Sequence, residues 1–214
     1  MVAVKQWLFW AREKGMIERM PNFPKRVAEQ KGQPKALSKA EQNRLLREVE
    51  RRGKIRDIAL VRLLMSCGLR VSELVSIKPN DLDIGERHGT VRVLGKGNKY
   101  REVPVPPEAR KVLQIWLEER KKKHPDSEWL FSNRNGGHLS ARYVEKVIEN
   151  FGRFAGFNVH PHMLRHTMAT NMLRSGTDLV VVADILGHAN IATTAVYTRP
   201  GMADKARAVE GAEM

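Results

Sequence analysis

The feature that most constrains the fold is a change of hydrophobic period near the middle of an otherwise helical chain. Residues 90–94 (TVRVL) and 100–105 (YREVPV) alternate apolar and polar side chains, as β-strands do. Between them lies the glycine-rich segment 95–99 (GKGNK), which suits the turn of a β-hairpin. Apolar residues elsewhere recur at helical spacing. The pattern predicts a mainly α (α+β) fold, a helical domain with one small antiparallel β-sheet.

Capping residues and apolar spacing predict the helices around this hairpin. Ser38 and Glu41 form an S-x-x-E capping box, which marks the start of the compact domain. Gly68 follows a strongly apolar segment and suits the residue after a helix end. The predicted helices span residues 2–14, 38–52, 54–67, 71–77, 107–122, 140–155, 161–174, 178–186 and 191–197.

The chain is expected to have three parts. Residues 1–37 hold one helix and then a stretch with Pro21, Pro24 and Pro34, which indicates an extended basic linker. Residues 38–200 form the compact domain. Residues 201–214 form a tail with a short helical pattern.

The charge favours a polyanionic partner. Lys and Arg number 38 against 24 Asp and Glu, which gives a net charge of +14 at pH 7. Such a positive field attracts nucleic acid. The alternatives are a basic but otherwise ordinary protein and one that binds an anionic membrane surface. No basic amphipathic helix with an exposed apolar face supports the membrane alternative.

The cysteine content indicates a cytoplasmic protein. Cys67 is the single cysteine, so no disulfide forms within the chain, which fits a reducing compartment. It lies in an apolar run, where a small buried hydrophobe is expected rather than a reactive thiol. No apolar run approaches membrane-spanning length, and the N-terminus has the pattern of an amphipathic helix rather than a signal peptide.

The last third of the chain concentrates residues suited to phosphate chemistry. His162 and Arg165 lie three positions apart on one predicted helix and share a face. His188 and Tyr197 follow in LGHANIATTAVYT. His166 is expected to point elsewhere, as a packing residue. Tyr197 taken alone suits a buried aromatic.

The histidines also raise the question of a metal site. His162 and His166 have the i, i+4 spacing of zinc ligands, but Met163 stands where H-E-x-x-H carries its acidic residue. We therefore expect no metal and no cofactor.

Two upstream cations complete the candidate set. Arg70 follows a predicted helix end and Lys96 lies at the hairpin tip. Taken singly, they suit a surface ion pair and a solvated turn residue. Taken with the histidines, Arg165 and Tyr197, they suit attack by a phenolic oxygen on a phosphodiester that cations hold in place. No G-x-x-x-x-G-K-[ST] motif for a nucleotide is present.

On these residues the chain resembles the catalytic domain of the tyrosine recombinase family, which includes the phage integrases and the Xer-like site-specific recombinases. The resemblance covers about residues 38–200. The matching segments are GLRVSEL around Arg70, LGKGNKYREVPVP around Lys96, HPHMLRHTMAT around His162 and Arg165, and DLVVVADILGHANIATTAVYT, which ends in Tyr197.

The resemblance implies site-specific recombination or integration of DNA through a 3′-phosphotyrosyl intermediate, without metal or ATP. Tyr197 would attack the scissile phosphate, and Arg70 and Arg165 would bind its non-bridging oxygens. Lys96 would protonate the departing 5′-oxygen. A phenol has a pKa near 10, so Tyr197 must lose its proton during attack; which group accepts it stays open.

The resemblance implies supporting roles for the remaining positions. His188 would hydrogen-bond the phosphate, and His162 would assist proton movement near the nucleophile. Glu73, in RVSEL, matches a position that supports the arginine or the active-site loop. A plain helix-surface role for Glu73 is the alternative.

The resemblance also implies partners and an incomplete domain set. Double-stranded DNA is the expected partner, with a homo-tetramer on DNA and a monomer when free. Residues 1–37 correspond to the last helix of a core-binding domain and its linker. The tail at 201–214 would dock on a neighbouring protomer, unless it is a frayed terminus. A type IB topoisomerase-like enzyme and a catalytically silent DNA-binding protein of the same fold are the competing functions.

Overall fold

A computed structural model of the protein describes residues 2–21, 36–95, 100–188 and Thr194. The chain divides into two compact units, residues 1–33 and residues 34–214. In the first unit helix α1 spans Val2–Glu13, as its apolar spacing predicts. None of the helices in the described ranges is long and apolar enough to cross a membrane.

The second unit is mainly helical, as predicted. Its helices in the described ranges are α2 (Lys39–Arg52), α3 (Ile55–Cys67), α4 (Val71–Val75), α5 (Pro107–Lys123), α6 (Ala141–Phe154), α7 (Pro161–Arg174) and α8 (Leu179–Leu186). The helix predicted at 191–197 lies outside the described residues, apart from Thr194.

The helix ends follow the predicted capping chemistry. Ser38 Oγ accepts a hydrogen bond from the Glu41 N–H, and Glu41 Oε2 accepts one from the Ser38 N–H at 2.8 Å. Gly68 ends α3 in the left-handed conformation. Helix α4 is shorter than predicted. Lys78 is extended because the residue before a proline avoids helical angles, and Pro79–Asp81 then form a 3-10 turn.

The sheet has one more strand than predicted. Strands β1 (Leu82–Ile84), β2 (Gly89–Leu94) and β3 (Tyr100–Pro104) are antiparallel in the order β1-β2-β3. The predicted hairpin is β2 and β3, and its turn residues 96–99 lie outside the described ranges. Strand β1 was missed because three residues are too few to show an alternating period.

The core of the second unit is built around α3, which packs against α5 and α7. Its side chains are buried on several faces, as the nearly continuous apolar run requires. Val91, Val93 and Val103 add the inner face of the sheet to the same core. Cys67 is buried there, as predicted, with its thiol against the Pro104 carbonyl. This packing brings the ends of α3 and α8 together beside α7.

Candidate active site

Arg70 is held at the start of α4 by a carboxylate one turn ahead of it. Its backbone N–H donates to Glu73 Oε2 at 2.8 Å, and its Nη1 donates to Glu73 Oε1 at 2.7 Å. The left-handed Gly68 two residues earlier turns the chain out of α3 and into this position. The Arg70 side chain keeps 36% of its surface exposed, so an anion can reach it.

Glu73 is the buried anchor of the site. Its side chain is 5% exposed and also accepts hydrogen bonds from Nη1 and Nη2 of Arg101, both at 2.9 Å. Burial by itself raises the pKa of this carboxyl. The hydrogen bonds from Arg101 and from the Arg70 N–H outweigh burial and hold the pKa below its ordinary value. Of the two roles open to Glu73 from sequence, the contacts therefore favour support of the arginine.

Arg101 belongs to the site although the sequence analysis did not select it. It lies on β3 opposite Val93, and its Nε donates to the Ile185 carbonyl at 2.9 Å. The alternation of apolar and polar side chains in residues 100–105 (YREVPV) could have indicated this position. Positions 101, 103 and 105 share one face, and two of them are valines. An arginine at an inward position of a strand indicates a buried cation that requires a carboxylate partner.

Arg165 lies on α7 and is held by the ends of two other helices. Its Nη1 donates to the Gly68 carbonyl at 2.6 Å, and its Nη2 donates to the Leu186 carbonyl at 2.7 Å. These carbonyls belong to the C-terminal ends of α3 and α8, where the helix dipole favours a cation. Arg165 is 5% exposed and its Nη1 lies 4.0 Å from Glu73 Oε2. It is thus fixed deep in the site.

His188 lies beside Arg165, just after the left-handed Gly187 that ends α8. Arg165 Nη2 lies 3.0 Å from His188 Nε2, and Thr194 Oγ1 lies 2.7 Å from His188 Nδ1. Since a guanidinium only donates, Nε2 must accept, which places the ring proton on Nδ1, pointing to Thr194. Thr194 was not selected from the sequence.

The surroundings keep His188 neutral. Burial lowers its pKa from 6.5 to about 4, and the positive charges of Arg165, Arg70 and Arg101 add to that effect. His188 therefore stands at neutral pH as an uncharged imidazole among three guanidinium groups.

His162 is exposed on the first turn of α7 and lines a cleft of about 410 Å³ together with Arg70 and Arg165. The shared face predicted for His162 and Arg165 therefore exists. Glu145 and Glu149 of α6 line the same cleft. His166 is buried instead, in line with the packing role expected for it.

The structure thus places four of the six selected residues together: Arg70, Arg165 and His188 around the Glu73 carboxylate, and His162 at the cleft. Lys96 and Tyr197 lie outside the described residues. Strand β3, which carries Arg101, begins at Tyr100, four positions after Lys96 in the sequence. Within the described ranges, no three His, Cys, Asp or Glu side chains converge as metal ligands.

The arrangement suits the binding of an anion. Three guanidinium groups are arranged around a single carboxylate. Within the described part of the chain, Arg70 Nη2 has no hydrogen-bond partner. Of the three arginine side chains, Arg70 is the most exposed. Guanidinium donors match the oxygens of a phosphate.

Known proteins share this architecture. The Phage integrase family matches residues 35–203. Tyrosine recombinase XerC of Actinobacillus pleuropneumoniae is 37% identical over 202 residues, which cover 92% of this chain and 65% of that protein. Tyrosine recombinase XerC of Pseudomonas aeruginosa is 46% identical over 144 residues, or 67% of this chain and 47% of that protein.

A solved structure extends the likeness to three dimensions. The XerH site-specific recombinase, bound to its difH substrate in a pre-cleavage complex, superposes with a TM-score of 0.78 at 26% identity. The superposition covers all of this chain and 64% of the XerH chain. This chain spans between about half and two thirds of the length of the relatives that it matches. By its match over residues 35–203, and by its identity to these recombinases, the chain belongs to the phage integrase family.

Proposed function

We propose that this chain cleaves and rejoins DNA strands at specific sites through a 3′-phosphotyrosyl intermediate. The observation that carries the proposal is the assembly of Arg70 and Arg165 on the buried Glu73 carboxylate, with His188 against Arg165. Relatives named tyrosine recombinases, and a neighbour solved with its DNA substrate, support the same reaction. The net charge of +14 supports a DNA partner.

Arg70 and Arg165 are proposed to bind the non-bridging oxygens of the scissile phosphate. Their charge stabilises the pentacoordinate transition state, and their contacts with protein groups fix them before DNA arrives. An arriving phosphate brings negative charge next to His188. That charge favours protonation of Nε2, which turns an acceptor into a donor for a phosphate oxygen.

The bond changes involve residues outside the described ranges. The Tyr197 phenolic oxygen attacks phosphorus, so the P–O bond to tyrosine forms while the P–O5′ bond breaks. The phenol proton passes to a general base, and Lys96 donates a proton to the 5′-oxygen. His162, exposed at the cleft, assists proton movement. One phosphodiester replaces another, so a 5′-hydroxyl can later reverse the step without ATP.

The partner is proposed to be double-stranded DNA, and the active assembly a homo-tetramer on it. The free chain is proposed to be a monomer in the cytoplasm, where its buried Cys67 stays reduced. The division into residues 1–37, 38–200 and 201–214 remains a prediction, as does docking of the tail on a neighbour.

The test is the capture of a covalent adduct. The probe is a pool of nicked DNA duplexes with randomised arms. Cleavage next to the nick releases a short strand that diffuses away, so the strand cannot be rejoined and the protein stays covalently attached to the DNA. Denaturant-resistant protein–DNA is recovered, sequenced and used to make one defined site. Tyr197→Phe is expected to abolish the adduct. The chain has three tyrosines, and Tyr143→Phe, which removes a hydroxyl that accepts a hydrogen bond from Arg56, is the matched control and keeps the adduct.

The outcomes separate the competing functions. Retention of duplexes from the pool under native conditions, with no adduct after denaturation, would identify a catalytically silent DNA-binding protein. Relaxation of supercoiled plasmid without paired sites would identify a topoisomerase-like enzyme. Exchange of strands between two copies of the selected site supports recombination. Cleavage is expected to survive EDTA, and a strict requirement for metal contradicts the proposed chemistry.

Lys96 has its own test. A 5′-bridging sulfur leaves without protonation, because a thiol is far more acidic than an alcohol. Lys96→Ala is therefore expected to cleave ordinary DNA slowly and to recover on the sulfur-substituted strand. Lys99→Ala, in the same glycine-rich segment 95–99, is the control that needs no rescue.

A further inference from the structure

Arg101 contacts both halves of the candidate site. Its Nη1 and Nη2 donate to the two oxygens of Glu73, and its Nε donates to the Ile185 carbonyl in the last turn of α8. All three nitrogens of one planar group are thus engaged, and the side chain is only 13% exposed. A guanidinium fixed at each nitrogen has little freedom to move.

The two ends of this bridge touch the proposed catalytic residues. Glu73 Oε1 accepts from Arg101 Nη1 and also from Arg70 Nη1, at 2.9 and 2.7 Å, so both arginines share one oxygen. At the other end, Ile185 lies three residues before His188. The position of Arg101 therefore constrains Arg70 on one side and His188 on the other.

Gly187 tightens the second end. A β-carbon on Gly187 would lie 2.9 Å from Arg101 Nη1 and 3.0 Å from its Cζ, closer than such atoms pack. The guanidinium thus lies directly against the backbone of the residue that precedes His188. Glycine is required here by the φ of +63° as well as by this close approach.

Support of the fold alone is a poor explanation for an arginine here. The position faces inward on β3, in register with Val93, where another aliphatic side chain would pack without a buried charge. A buried ion pair is often no more stabilising than a well-packed apolar group. Its fixed geometry, in contrast, is what holds two separate segments in place.

We propose that Arg101 is a positioning residue that couples the placement of Arg70, through their shared Glu73 carboxylate, to the placement of His188, through Ile185 and Gly187. It also joins both to β3, the strand that begins four positions after Lys96 in the sequence. The inference rests on the proposed DNA cleavage, because the residues that it places are those assigned to the phosphate. Among the described residues the Arg101 guanidinium donates to Glu73 and to the Ile185 carbonyl, so it is assigned a positioning role rather than contact with the phosphate.

Kinetics on the selected DNA site give the first measurement. Single-turnover cleavage at saturating DNA is compared for wild type, Arg101→Lys, Arg101→Gln and Arg92→Gln. Arg92 is the matched control, an arginine on the neighbouring strand in an exposed pair with Asp81. Arg101→Gln is expected to cleave about 100-fold more slowly than Arg92→Gln, because a misplaced reacting group slows the chemical step. The affinities of the two variants for DNA are expected to be equal. Arg101→Lys, which keeps the charge without the fork, is expected to lie between.

The ionisation of His188 gives a measurement that needs no activity. Arg165, Arg70 and Arg101 lower its pKa and Glu73 raises it. Loss of Arg101 removes one positive charge and loosens the segment before His188. The His188 pKa, followed by NMR titration of the folded protein, is therefore expected to rise from about 4 in Arg101→Gln but not in Arg92→Gln.

The two measurements distinguish failure of the proposed function from failure of the positioning role. If wild type forms no adduct, the proposed function is wrong, and the titration still reports whether Arg101 places His188. If wild type cleaves and Arg101→Gln is no slower than Arg92→Gln, or the His188 pKa does not move, the positioning role is wrong. Should Arg101→Gln not fold, Arg101→Lys supplies both measurements, and an unchanged rate and pKa there overturn the proposal.

Discussion

Glu73 and Arg101 form a two-pronged ion pair in which each carboxylate oxygen accepts one guanidinium N–H at 2.9 Å. Both side chains are largely buried, and Glu73 also accepts hydrogen bonds from the backbone N–H and the side chain of Arg70. Fully hydrogen-bonded buried charges are stable together, but each is costly if its partner is removed. The pair therefore links local stability to the geometry of the anion site.

Replacing Glu73 with glutamine is expected to destabilise the protein strongly. The amide keeps the shape but removes the negative charge and turns an NH₂ group toward guanidinium donors. Leaving a buried cation without its partner costs about 3 kcal/mol. The free energy of unfolding from urea titration measures the loss.

Glu108→Gln is the control for that substitution. Glu108 forms an exposed pair with Lys111 on α5, so its loss is expected to change the urea midpoint little. Equal midpoints for the two variants would show that the buried pair contributes no more than a surface pair.

Several helix ends, and one pairing within the site, followed from residue spacing. The S-x-x-E box at Ser38, the glycine after α3 and the shared face of His162 and Arg165 are local patterns, and the structure contains each of them. Local patterns suffice there because capping and helix faces depend on residues a few positions apart.

The unpredicted parts depend on distant contacts. Arg101 meets Glu73 across 28 positions of sequence and Ile185 across 84. Thr194 matters only because the α8 end turns His188 toward it. No periodicity encodes such pairs, so their partners emerge only when α7, α8 and the sheet are packed. Of these residues, only Arg101 could have been suspected from the sequence, because it places a charge on the inward face of a predicted strand.

Gly187→Ala is expected to destabilise the protein more than an alanine at a left-handed glycine whose β-carbon position is open. The new methyl group would meet the Arg101 guanidinium at 2.9 Å in addition to the strain of φ +63°. We expect a cost of about 2 kcal/mol for the combined strain and displacement. Urea titration measures it.

Gly176→Ala is the matched control for Gly187→Ala. Gly176 has φ +86°, and no heavy atom of the described residues lies within 4 Å of the point that a β-carbon would occupy. Only the backbone cost of about 1 kcal/mol therefore applies. An equal loss for both variants would show that the Arg101 guanidinium moves aside freely, against the tight contact in the structure.

Cys67 is expected to resist thiol reagents until the protein unfolds. Burial in the core raises the pKa of its thiol to about 12, so almost no thiolate exists at neutral pH. Labelling with a chromogenic disulfide is expected to be slow in buffer, to accelerate with urea and to reach one thiol per chain after denaturation. Rapid labelling of the native protein would contradict the packing of α3.

His188 is expected to make stability fall as the solution is acidified. Its pKa is about 4 in the folded protein and 6.5 ordinarily, so between these values the unfolded chain binds a proton that the folded chain does not. The free energy of unfolding is therefore highest, for this group, above pH 6.5, and declines until the pH passes about 4. His188→Asn carries no titrating ring and is expected to lose that part of the slope. Urea midpoints of the two proteins across this window measure the difference. Parallel pH profiles would show that His188 titrates alike in both states, and that neither its burial nor the three guanidinium groups lower its pKa.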